Sequence, residues 1–198
     1  MGFGLATLGY GFMLTYNAGG GIFAGILLAY GFFLASRLNK HFMKASVSAL
    51  FLIPHSVLLL LFTFRVLNEK DILLLSSISR TVFYCAWLIT SYYYLMAVRD
   101  IAIENSAIKL KNKAINRLSF TTIFLFVAVL MSIFNDFVPS AMLSIWIIMQ
   151  YIVVIVNTLF LHSCFILITT EALDKKERQY FADEEKKQRE KRKKRDGD

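Results

Sequence analysis

The chain has 198 residues, of which 57% are hydrophobic and 18% are charged, and its formal net charge is +8. Soluble domains are typically about 45 to 50% apolar and about 25% charged, so this composition excludes an ordinary soluble globular domain. The apolar residues lie in long runs that are separated by clusters of charge. This pattern predicts an all-α fold, a polytopic bundle of membrane helices.

The opening apolar segment is interrupted by residues 17–21, which read NAGGG. Consecutive glycines favour a turn, so we predict two short apolar helices at residues 3–16 and 22–36. The alternative is one kinked helix with a re-entrant start. Small residues at helical spacing in the second segment predict close helix packing against the first helix, with homo-oligomerisation through the same face as the alternative. These small residues are Gly21, Gly25 and Ala29.

Four later apolar runs are long enough to cross a bilayer, which takes about 20 helical residues for roughly 30 Å of hydrocarbon. They cover residues 45–64, 72–98, 118–134 and 141–170. With the opening pair they predict six transmembrane helices, or five if the first two are one. We therefore assign residues 1–173 to a transmembrane bundle and residues 174–198 to a basic, charged helical tail.

The basic residues are distributed unevenly between alternate loops. In a six-helix arrangement, the loops and termini on one side hold 19 of the 22 Lys and Arg residues, the other side holds Arg65 and Lys70, and Arg80 lies within a helix. Because the cytoplasmic loops of membrane proteins are enriched in Lys and Arg, this asymmetry predicts that both the N-terminus and the C-terminus are cytoplasmic. The chain is thus expected to be a multi-pass protein of the cell membrane, typical of a bacterial inner membrane. The loop at residues 99–117 is expected to be a helical extension of the fourth predicted transmembrane helix, with an amphipathic surface helix as the alternative.

Four polar residues inside the predicted helices are candidates for ligand binding. Arg80 is certain to be charged, and a charge at the bilayer centre costs at least about 2.5 to 3.5 kcal/mol. It either extends to the interface or faces the bundle interior and holds an anion. Gln150 is expected at a similar depth. His55 follows Pro54, whose missing backbone donor predicts a kink, and Asn157 is expected at the level of His55.

Catalysis and metal binding have little support in the sequence. Cys85 and Cys164 lie inside apolar runs, unlike the cysteines of a disulfide framework. The sequence also contains no cluster of metal-binding residues and no cofactor-binding motif. His162 and Cys164 are two residues apart and point to different helix faces, whereas a pair of His55 with Cys85 is geometrically conceivable. We predict no catalytic residue, no metal and no cofactor.

The favoured function is a small-solute or ion transporter or channel component, or a membrane subunit of a larger complex. The alternative is a membrane-anchored sensor or scaffold that acts through its tail, and an intramembrane enzyme is the third hypothesis. Expected partners are the lipid bilayer with its anionic lipids and a second copy or another membrane protein, while nucleic acid is not expected. The tail residues predicted to bind lipid or a partner are Lys191, Arg192, Lys193, Lys194 and Arg195.

Overall fold

The computed structural model describes residues 2–64, 66, 73–134 and 137–195, and for residues 17, 73, 74, 140 and 169–195 it describes the backbone alone. Over these ranges the chain is helical and forms no strand, so the predicted all-α class is confirmed. Two compact units are present, Met1–His162 and Ser163–Asp198. The backbone of the predicted tail-binding residues is helical, and the side chains of Lys191, Arg192, Lys193, Lys194 and Arg195 lie outside the described part.

The helices follow one another with short connections. In chain order they are α1 (Phe3–Phe12), a 3₁₀ helix (Met13–Ala18), α2 (Gly20–Ala35), α3 (His41–Leu50), α4 (Ile53–Thr63), α5 (Leu73–Glu104), α6 (Ile108–Ile133) and α7 (Ser140–Arg195).

Four segments of the described chain are long and apolar enough to cross a membrane, judged by length and composition. They are His41–Thr63, Leu75–Glu104, Ile108–Ile133 and Ala141–Ile168. The two predicted helices of the opening segment correspond to α1 with its 3₁₀ extension and to α2, which are shorter than this length. The chain therefore has the apolar helices of a membrane protein.

The predicted turn at residues 17–21 is confirmed. Gly19 has a φ of +83°, in the left-handed region that favours glycine, and it separates the 3₁₀ helix from α2. The chain reverses here, because Gly9 of α1 lies against Leu28 of α2, while Gly31, near the end of α2, lies against Ala6. The opening segment is thus an antiparallel helical hairpin.

The predicted small-residue stripe packs closely, mainly on α3 and α4, and a Cβ at Gly21 would also lie 3.7 Å from Tyr16 Cβ in the first predicted helix. Gly21 and Gly25 lie against α4, and the carbonyl oxygen of Ala29 accepts a hydrogen bond of 2.7 Å from Ser46 Oγ of α3. The contact with α1 is made instead by Gly31. Residues four apart share a helix face, whereas a residue two positions further on is turned by about 200°, so the stripe and Gly31 lie on different faces.

The predicted kink before Pro54 is confirmed. Helix α3 ends at Leu50 and α4 begins at Ile53, with Pro54 in its first turn. Between them the N–H groups of Phe51 and Leu52 bond to carbonyls three residues earlier, at 3.1 Å each. A proline removes one backbone donor and displaces the preceding turn, which accounts for the break.

Helices α5 and α6 form a second antiparallel hairpin. The turn at residues 105–107 contains Ser106 with a φ of +57°, and Thr81 of α5 lies beside Ser132 of α6 with a hydroxyl distance of 2.8 Å. Residues 99–104 continue α5, as expected, whereas residues 108–117 lie beyond the turn and belong to α6.

Candidate functional site

A cavity of about 260 Å³ lies within the first unit, near the ends of the helices that face the Gly19 turn. The 3₁₀ helix, α4, α5, α6 and α7 each contribute side chains to its wall. The lining residues are Tyr16, His55, Leu59, Arg80, Tyr84, Ala128, Met131, Ser132, Leu143, Trp146 and Ile147.

Two predicted ligand-binding residues, His55 and Arg80, meet in this cavity. His55 is 4% exposed, and its Nδ1 lies 2.9 Å from Ser79 Oγ. The hydroxyl of Ser79 donates to the carbonyl oxygen of Ser76 at 3.0 Å. Because a hydroxyl has one hydrogen, Nδ1 must be the donor in the pair with Ser79. In the neutral ring this leaves Nε2 as an acceptor.

Aromatic side chains form much of the remaining wall. The ring of Trp146 is stacked on Phe124 with centroids 4.3 Å apart and planes at 3°. The ring of Tyr16 is stacked on Phe83 at 5.4 Å. Trp146, Tyr16 and Tyr84 were not predicted as site residues. Tyr84 follows Arg80 by one helical turn, a spacing that could have revealed it, whereas the position of Tyr16 depends on the fold of the hairpin.

The third predicted residue, Gln150, lies behind the cavity wall. It is 3% exposed, and its Oε1 accepts a hydrogen bond of 3.1 Å from the hydroxyl of Tyr84. Its Nε2 is buried and has no hydrogen-bond partner among the described residues. An unsatisfied buried donor costs about 1 to 3 kcal/mol, so this amide is a group that a water or a ligand would stabilise.

The fourth predicted residue, Asn157, does not line the cavity. It is fully buried two helical turns beyond Gln150, or about 10 Å along α7. Its Oδ1 accepts a hydrogen bond of 2.9 Å from the hydroxyl of Tyr94, and its Nδ2 donates to Thr121 Oγ1 at 3.3 Å. Asn157 therefore joins α5, α6 and α7 in the bundle interior.

A second buried polar group lies between the cavity and Asn157. Trp87 Nε1 donates to the hydroxyl of Tyr10 at 2.9 Å, and that hydroxyl lies 2.7 Å from Ser91 Oγ. Arg80, Trp87 and Tyr94 follow one face of α5 over about 21 Å, at a spacing of seven residues. We define the polar seam as the buried groups of Tyr10, Trp87, Ser91, Tyr94, Asn157 and Thr121.

The conceivable pair of His55 with Cys85 is not brought together in the cavity. Cys85 lies instead in a groove between α3 and α5. Within the described ranges, no group of three or more His, Cys, Asp and Glu side chains is placed to hold a metal ion.

Comparisons with protein-family models, with curated proteins and with solved structures found no match. The function is therefore inferred from the chemistry of the cavity and the seam.

Proposed function

We propose that this chain is a multi-pass membrane protein that binds a small organic anion in the cavity and carries it across the bilayer, alone or as a subunit of a larger transporter. The observation that carries the proposal is that Arg80 and His55 both line one cavity among apolar helices. Arg80 brings a positive charge to the cavity wall. The polar wall thus favours a negative ligand over a positive one.

The chemistry of the wall supports a carboxylate of modest size. A guanidinium presents a planar fork of donors that matches a carboxylate in two parallel hydrogen bonds. The Tyr16, Tyr84 and Trp146 rings offer flat apolar surfaces to the rest of such a molecule. Ligand pockets are commonly about 300 to 1,000 Å³, so a cavity of about 260 Å³ lies just below that range and suits a small ligand.

A carrier fits the structure better than an open channel. Polar groups continue from the cavity along α5, which could support a solute in transit. However, Tyr10, Trp87 and Tyr94 are fully buried and fill the seam with their rings. Passage along the seam therefore requires a change of conformation, as in carriers in which one part of the bundle moves against another.

We further propose six membrane-embedded segments with both termini in the cytoplasm. Helix α1 with its 3₁₀ extension is about 27 Å long and α2 about 24 Å, each close to the roughly 30 Å hydrocarbon thickness. The antiparallel contacts of α1 with α2 and of α5 with α6 agree with alternating orientations. Fluorescent-protein fusions at each terminus test this topology, since fluorescence at both ends is expected and a dark C-terminal fusion would contradict it.

The anion proposal is tested with benzoate as the probe and uncharged benzamide as its matched control. Purified full-length protein is heated with increasing concentrations of each compound. Binding at a hundred times the Kd stabilises a protein by about 2.7 kcal/mol, which corresponds to a rise in Tm of roughly 5 to 10 °C for a chain of this size. We expect this rise with benzoate, a negligible rise with benzamide, and benzoate uptake into proteoliposomes.

The matched variants are Arg80→Gln in the cavity and Arg37→Gln, an exposed arginine in the α2–α3 connection. Arg80→Gln should abolish both the benzoate shift and the uptake, while Arg37→Gln should retain them. Equal shifts with benzoate and benzamide, or unchanged binding and uptake in Arg80→Gln, would contradict the proposal.

The second candidate is a sensor or scaffold, favoured by the observation that α7 carries both cavity-lining residues and the basic tail. In that case the tail binds a soluble partner or anionic lipid, and the cavity ligand is a signal. Deletion of residues 186–198 separates the two candidates. A carrier without these residues retains benzoate uptake. A sensor without them retains benzoate binding and shows no uptake, but it no longer binds the soluble partner or anionic lipid of the tail.

A further inference from the structure

A groove of about 550 Å³ runs along the surface between α3 and α5, apart from the anion cavity. Its walls are exposed apolar side chains, among them Val47 of α3, Phe51 directly after α3, and Ile89 of α5. Its floor contains the small side chains of Ser48 and Ala86, which are buried. Because large residues form its sides and small residues form its floor, the groove is open to the surface along its length.

The length of the groove matches one leaflet of a membrane. Along α5 the lining residues extend from Val82 to Tyr93, which corresponds to about 16 Å of helix. Half of the roughly 30 Å hydrocarbon core is about 15 Å. A single hydrocarbon chain that lies parallel to α5 would therefore be covered from the interface to the middle of the bilayer.

One end of the groove is positively charged. Lys44 is exposed and lies one turn inside the segment His41–Thr63, and its Nζ is 5.1 Å from the centroid of the Tyr93 ring. The ring of His41 is stacked on the same tyrosine at 6.0 Å. The nearby carboxylate of Asp100 accepts hydrogen bonds from Arg99, the shorter of which is 2.7 Å. The ammonium at the mouth thus complements an anionic head group.

We infer that the α3–α5 groove is a binding site for an anionic phospholipid, with the phosphate at Lys44 and one acyl chain along the groove toward Phe51. Because the chain is already out of water in the bilayer, the apolar walls bind it through van der Waals packing. The charge at the mouth selects an anionic head group. This site is independent of the anion cavity.

The first experiment measures which lipids the full-length protein retains. The protein is placed in nanodiscs of equal parts phosphatidylglycerol and phosphatidylcholine, extracted into mild detergent and analysed by native mass spectrometry. The wild type should retain phosphatidylglycerol in preference to phosphatidylcholine. Lys44→Ala should lower this retention about fivefold, since a basic residue near an anionic membrane surface contributes about 1 kcal/mol.

Filling the groove tests the acyl chain separately from the head group. Cys85 is half-buried and lines the groove, so Cys85→Phe would occupy the space of the chain and should abolish retention. The matched controls are Lys113→Ala and Ile123→Phe, which alter exposed residues of α6 outside the groove and should leave retention unchanged. Equal retention of the two lipids by the wild type, or unchanged retention in both groove variants, would overturn the inference.

The thiol of Cys85 provides a second readout that leaves the groove unfilled. In Cys164→Ser protein Cys85 is the one remaining thiol, because the sequence contains 2 cysteines. Its alkylation by a membrane-permeant maleimide should be about fivefold slower in phosphatidylglycerol nanodiscs than in phosphatidylcholine nanodiscs, by the same electrostatic contribution. Lys44→Ala should remove the difference. Alkylation at one rate in both lipids would count against the site.

Discussion

The contact between α1 and α2 predicts a large effect of adding a single methyl group at Gly31. A Cβ at this position would lie 2.7 Å from the backbone nitrogen of Ala6 and 2.8 Å from the carbonyl oxygen of Gly2. Ordinary contacts of a Cβ begin at about 3.4 Å, so α1 would have to withdraw by roughly 0.7 Å. Both obstacles are backbone atoms of a helix, which cannot rotate out of the way as a side chain can.

The expected magnitude combines two opposing contributions. Overpacking of a well-packed contact typically costs about 1 to 3 kcal/mol, whereas alanine in a helix is favoured over glycine by about 0.5 to 1 kcal/mol. With the midpoint of each range, Gly31→Ala should destabilise the protein by about 1 kcal/mol, or lower its Tm by roughly 2 to 4 °C. Thermal unfolding in detergent, followed by fluorescence of the two tryptophans, measures this change.

Gly11→Ala is the matched control within the same hairpin. A Cβ at Gly11 would meet no atom of the described structure within 4 Å, so this substitution gains helix propensity without overlap. Its free energy of unfolding should rise by about 0.5 to 1 kcal/mol. The reasoning is refuted if Gly31→Ala is as stable as the wild type or more stable, because α1 and α2 would then not be in backbone contact.

Three further substitutions test the polar seam and the α5–α6 turn, each by unfolding of the purified protein. Asn157→Ala should cost about 1 to 3 kcal/mol because it removes the side chain that accepts the 2.9 Å hydrogen bond from Tyr94 and accepts the hydrogen bond of Thr121 in the bundle interior. A loss equal to that of an exposed Asn→Ala variant would contradict this role. Tyr10→Phe should cost a similar amount because Trp87 Nε1 loses its acceptor at 2.9 Å, and wild-type stability would argue against that bond. Ser106→Gly should raise stability by up to about 1 kcal/mol because the φ of +57° is strained for serine, and a loss would contradict the turn conformation.

Several features of the fold follow from local sequence and were predicted from it. The helical class follows from long apolar runs, the turn at Gly19 from consecutive glycines, and the break before Pro54 from its missing donor. Each depends on the backbone preferences of neighbouring residues, so it needs no knowledge of what the helices contact. The sequence placed Arg80 with Gln150 at one depth and His55 with Asn157 at a deeper level, so it did not predict that His55 and Arg80 line the same cavity.

The tertiary structure decided which side chains meet. The sequence made Gln150 and Asn157 candidates for ligand binding alongside His55 and Arg80, but Gln150 lies behind Tyr84 and Asn157 bonds to Tyr94 in the seam. The rotation of each helix about its axis determines these contacts, and it is set by packing against several neighbours at once. The same reason explains why the small-residue stripe that begins at Gly21 packs on α3 and α4. The four-residue spacing of the small residues predicts a close helix contact but does not specify which helices make it.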